Sequence, residues 1–149
     1  MHFGQYDSRG AAARGFSLQL EDPAKAGRKL FNDEGKPVCV ILMGREAPEA
    51  AAHFARIQRA RAKEDTSAET VALMTNEELH ERMCEVAEPL IMGFENLDRE
   101  PGKPATKADA GAFLRLQTVN GNEGEVSFVE QILAAVNRRA AILGNAPNS

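Results

Sequence analysis

Tryptophan is missing from the chain, and tyrosine occurs once, at Tyr6. With so few large rings, a β-sandwich core built on aromatics is disfavoured, and abundant Ala, Leu and Ile favour packed helices instead. Cysteine is nearly absent too. Cys39 and Cys84 form no close-spaced pair and sit in apolar surroundings, so they read as buried thiols of a reducing compartment rather than a disulfide framework. No long apolar run exists: the longest, Val38 to Met43, is far too short to cross a bilayer. Met1 to Gly15 lacks the apolar centre of a secretion signal, and a cytoplasmic origin is expected. No Gly-x-Ser-x-Gly elbow, phosphate-cradling glycine loop or dinucleotide fingerprint occurs. Nothing in the sequence suggests the burial that would tune a pair of catalytic carboxylates. The expectation is therefore a non-enzymatic protein without cofactor or metal.

What is present is one domain's worth of chain, 149 residues, 43% hydrophobic and 27% charged. Its net charge of −4 is unevenly spread. Between Arg45 and Lys63 five bases face two acids, whereas from Glu64 to Glu100 eleven acids face only Arg82 and Arg99. Such a split speaks about partners, inside the chain or outside it. The basic stretch Arg56 to Lys63 invites nucleic acid, but no aromatic is interleaved for base stacking and an acidic stretch adjoins it. Pairing between the basic and acidic helices accounts for both, and neither nucleic acid nor a membrane is expected as a partner.

Local patterns predict an α+β chain that is mostly α: a small N-terminal antiparallel hairpin or sheet followed by a bundle of about four helices. Residues 1–15 read as a mobile arm, 16–143 as a single domain and 144–149 as a flexible tail. Phe16-Ser-Leu-Gln-Leu20 alternates as a half-buried strand should, Leu30-Phe31 offers a second, and Asn32-Asp-Glu-Gly35 a turn. Val38 to Met43 is the best strand. From residue 47 onward the period is helical. Pro48 suits a first turn, with Ala47, Ala50, Ala51, Phe54 and Ile57 as the apolar stripe. Thr66 with Glu69 and Thr75 with Glu78 both match capping boxes, and the second is favoured as the start of the next helix. Leu79, Met83, Val86, Leu90, Phe94 and Leu97 then recur at steps of three and four, with a kink expected at Pro89. A loop from Asp98 to Pro104, a short helix capped by Thr106 and Asp109, and a last helix from Ser127 to Gly144 complete the expectation.

Two side chains invite a metal: His80 and Cys84 share a helix face, but two donors make no site and no further motif supplies the rest. His53, beside Phe54, reads as a packing residue. The methionines Met43, Met74, Met83 and Met92 read first as gap-fillers, although Met83 and Met92 also suit an adaptable partner surface.

In order along the chain, these pieces resemble the tail assembly chaperones of long-tailed bacteriophages, from about Phe16 to Leu143. The resemblance rests on Asp22-Pro23 before the main strand, Ile41-Leu-Met-Gly44 at its end and the Arg-rich helix from Phe54 to Arg61. The acidic helix, Gly93-Phe-Glu-Asn96 and the final helix with Arg138-Arg139 complete it. Gly93 to Asn96 is the sharpest match. The family usually has Trp where this chain has Phe94, and an Asp-Ser cap where it has Arg45-Glu-Ala-Pro48.

The resemblance implies a non-catalytic protein of the host cytoplasm that coats the helical tape-measure protein, recruits tail-tube subunits and is not retained in the finished particle. The implied contact is helix-in-groove, with Met83, Leu90, Phe94 and Leu97 as the apolar face and Arg56 and Arg59 as charged contacts; self-association is a further option. These residues serve equally well as the core of the protein's own bundle. The competing classes are a structural virion component, such as a connector or tail-completion protein, and a small nucleic-acid-binding or regulatory protein.

Overall fold

The computed structural model describes residues 2–62, 73–119 and 122–145. Among these the chain forms five helices and five strands in two sheets, 46% helix and 18% strand. The strands are spread along the chain, which corrects the expected N-terminal hairpin followed by a helical bundle.

The larger sheet has the order β1-β2-β3, built from β1 (Phe16–Gln19), β2 (Cys39–Leu42) and β3 (Ile91–Glu95), all antiparallel. Alternation turns Phe16, Leu18, Val40 and Leu42 to one face. On β3 the register shifts opposite Ile41 and Leu42, so that Met92 is an extra residue and both Ile91 and Phe94 join that same face. The helices are α1 (Ser8–Arg14), α2 (Pro48–Arg61), α3 (Asn76–Ala87), α4 (Ala110–Leu114) and α5 (Phe128–Asn145). Val40, Leu42 and Ile91 of the sheet are buried in one cluster with Cys84 and Ala87 of α3 and Val129, Ile132 and Val136 of α5. A small hairpin of β4 (Asp98–Glu100) and β5 (Lys103–Pro104) stands where a loop was expected.

The helix expected to run from Thr75 through Leu97 ends at Ala87. Proline at position 89 has no N–H for the carbonyl of Glu85; a single 3-10 turn, Glu88–Leu90, comes next, and Ile91 is extended. The proline therefore stops the helix instead of kinking it. Leu90, Phe94 and Leu97 lie beyond its end and do not continue its face.

Residues 1–15, expected as an arm, contain α1, whose Asp7 cap accepts the Gly10 N–H at 2.8 Å. Ala12 is buried against Gly44, where an added Cβ would come within 2.8 Å of the Ala12 Cβ, so the close approach requires glycine. The last helix passes through Gly144, expected as its stop. The Thr66 capping box and residues 146–149 lie outside the described residues. Among the described residues no helix is long and apolar enough to cross a membrane.

Candidate partner-binding surface

An open groove of about 660 Å³ lies between the loop before β2 and the segment after β3. Local chemistry builds its near wall. Asn32 accepts the N–H groups of Glu34 and Lys36 on its side-chain oxygen at 3.0 and 2.9 Å, and Gly35 closes the turn at φ +79°. That turn leaves Phe31, bridged to Pro37, with 59% of its surface exposed at the groove.

The far wall comes from Phe94 and Asn96, two residues of Gly93-Phe-Glu-Asn96, and the neighbouring Leu97 and Asp98. Phe94 packs edge-to-face on Phe113, with centroids 4.9 Å apart, and Phe113 stacks on Phe128 at 4.5 Å. Its ring is thus anchored in the fold while its outer edge lines the groove. Asn96 adopts φ +59°, a conformation asparagine tolerates, and donates its side-chain N–H to the Pro37 carbonyl at 2.7 Å. This bond ties the two walls together. Leu97 continues the groove wall, its carbonyl accepting the Ala105 N–H at 2.9 Å. Leu30 and Val38 add apolar surface, and Asp33, Glu34, Lys36 and Asp98 supply charge.

The residues expected to meet a partner separate into three places. Phe94 and Leu97 share the groove. Leu90 is wholly buried, and Met83 is half-buried against the core. Arg56 and Arg59 are exposed on α2, no residue of which lines the groove. Phe31 and Asn96 were not expected as a site. Phe31 had a signal, a large apolar residue directly before a polar turn, and the reach of Asn96 to Pro37 had none.

The acidic helix finds its principal cation outside the basic stretch. Arg115, just past α4, makes a two-bond fork to Glu81 at 3.0 and 3.1 Å and reaches Glu88 at 3.0 Å. These bonds raise the Arg115 pKa further above its usual range, and the same hydrogen bonding holds the Glu81 carboxyl below the usual carboxylate value. Between α2 and α3 the described residues show one ion pair, Arg61 to Glu85 at 3.7 Å, so the expected pairing of the two helices is slight. His53 does more than pack. Its Nε2 lies 2.9 Å from the Glu85 carbonyl and must carry a proton to donate to it.

His80 Nε2 and Cys84 Sγ are 3.4 Å apart, and the buried His80 Nδ1 has no hydrogen-bond partner among the described residues. Burial pushes the Cys84 thiol pKa up, away from the thiolate that zinc requires. No group of three His, Cys, Asp or Glu among the described residues is placed to hold a metal ion. No protein-family model, curated protein or solved structure matches the chain.

Proposed function

We propose that this protein is a non-enzymatic tail assembly chaperone that holds a long, apolar-striped helical partner of the tape-measure kind and brings tail-tube subunits to it. The observation that carries the reading is the place of Gly93-Phe-Glu-Asn96. Two of the four residues that most resemble the family, Phe94 and Asn96, line an open groove in which apolar side chains stand among polar and charged ones. Phe31, Phe94 and Leu97 offer the grooves and ridges that a helix needs for knob-like contact, and the carboxylates offer register. In this reading the protein works in the host cytoplasm and leaves before the particle is complete.

Co-expression with the long helical protein of the same gene cluster tests it. The partner should be soluble and co-purify with the parent chain, and should fall into the pellet with Phe31→Asp. Because Phe31 is largely exposed, that change should leave folding intact, which circular dichroism checks. Equal solubility of the partner with and without this chain ends the reading. Abundant recovery of the protein in purified particles favours a structural virion component instead.

A further inference from the structure

We propose that the groove selects helices whose apolar stripe is bordered on both sides by lysine or arginine. The inference rests on the reading of the groove as a helix-binding surface and adds which helices it takes. The polar side chains of the groove carry it. Lys36, the one cation among the described residues lining the groove, lies 3.3 Å from Glu34, so these two charges offset each other. Asn32 uses its side-chain oxygen on the Glu34 and Lys36 N–H groups, and Asn96 uses its side-chain nitrogen on the Pro37 carbonyl. Asp33 has no hydrogen bond or ion pair among the described residues. Asp98 accepts the Gly102 N–H at 3.3 Å on one oxygen and meets no cation among them. Both carboxylates are exposed, so the charge left to meet a partner is negative.

The two carboxylates stand on opposite walls. Asp33 belongs to the turn before β2 and Asp98 to the segment after β3, with Leu30 and Val38 supplying apolar surface on the first side and Phe94 and Leu97 on the second. A helix laid with its stripe on these four brings the residues that border the stripe over the walls, one row to each side. A base in each row meets Asp33 or Asp98, whereas an acid there meets like charge. Such exposed contacts are weak one by one, so they act on encounter and selection more than on holding. Apolar contact holds the helix, and charge sets which helix is admitted.

The test titrates the full chain into three labelled helical peptides of about 20 residues, alike in their leucine stripe and bordered by Lys, Gln or Glu, with fluorescence anisotropy as the readout. At low salt the Lys peptide should bind about tenfold or more tighter than the Glu peptide, with the Gln peptide between them. Salt at about 0.5 M should collapse the difference. Asp33→Lys with Asp98→Lys should invert the order. Because the whole chain carries a net charge of −4, Glu49→Lys with Glu123→Lys is the control. Both of those residues are exposed, neither lines the groove, and the net charge changes equally, yet the order should hold. Circular dichroism checks that both double variants are folded. Equal affinity for the three peptides overturns the selection, as does an order that the groove variant leaves in place or that the control inverts as readily. In those cases binding that Phe31→Asp still weakens keeps the groove as a helix-binding surface. Binding that Phe31→Asp leaves unchanged, or no binding of any peptide, overturns both.

Discussion

Arg115 belongs to no charged run, yet it pairs at once with Glu81 of α3 and with Glu88 in the turn that follows. Its effect on acid stability has a definite sign. Glu81 releases its proton more readily in the folded chain than in the unfolded one, chiefly through the Arg115 hydrogen bonds. The stabilisation is therefore present above the unfolded carboxylate value and is lost as pH falls through the lowered folded one. Arg115→Met should lower the melting temperature by a few degrees at neutral pH. The gap to the parent should close as pH drops below about 4. Melting curves across that range decide it, and a gap independent of pH removes the role assigned to the pair. Legibility at this scale tracked sequence separation. Thr75 accepts the Glu78 N–H, Thr106 pairs with Asp109 and Ser127 with Glu130, all as the sequence spacing indicates. Those partners are three residues apart. Arg115 and Glu81 are brought together only by the fold.

The element least legible in the sequence is the one that carries the groove. Ile91 and Phe94 are three apart, which is helical spacing, and they point the same way because Met92 is an extra residue opposite β2. A bulge thus disguised a strand as the continuation of a helix, and the capped, amphipathic turns before it strengthened the disguise. The proline that ends α3 leaves the Glu85 carbonyl without a backbone donor, and α2 supplies one through His53. The two helices are joined by this bond more than by the opposed charges that the sequence displays. His53→Leu keeps the bulk and removes the donor, and should cost about 1 kcal/mol, the net worth of a part-buried hydrogen bond. His53→Gln, which can still donate, should recover part of it. Hydrogen exchange at residues 85–90 should quicken in the first variant, and a His53→Leu chain as stable as the parent would show that packing alone sets the junction.

At the scale of the whole molecule, the outer parts of the chain are clasped by a residue that no pattern singled out. Gln131 on α5 accepts the Glu21 N–H at 2.8 Å on its side-chain oxygen, and its side-chain nitrogen donates to the Glu21 carbonyl at 3.0 Å and to Val126 at 3.2 Å. The side chain thus copies a strand partner for the residue just past β1, at a separation of 110 residues. Periodicity reports which face of an element is apolar, but not which distant segment completes its hydrogen bonds. That is why the N-terminal strands, the caps and the last helix were legible while the closing of the fold was not. Gln131→Leu retains volume at an 8% exposed position and strands both Glu21 backbone groups, so it should destabilise by about 1–3 kcal/mol. If the clasp joins one cooperative unit, the loss must appear equally everywhere. In a Cys39→Ser background, Cys84 is the sole thiol and is wholly buried, so its labelling reports opening of the α3 side of the core. Denaturant midpoints from far-ultraviolet dichroism and from Cys84 labelling should move down together in Gln131→Leu. A shift in dichroism with Cys84 still protected at the parent's midpoint would mean that α5 can leave by itself, and that the clasp holds an edge rather than the whole.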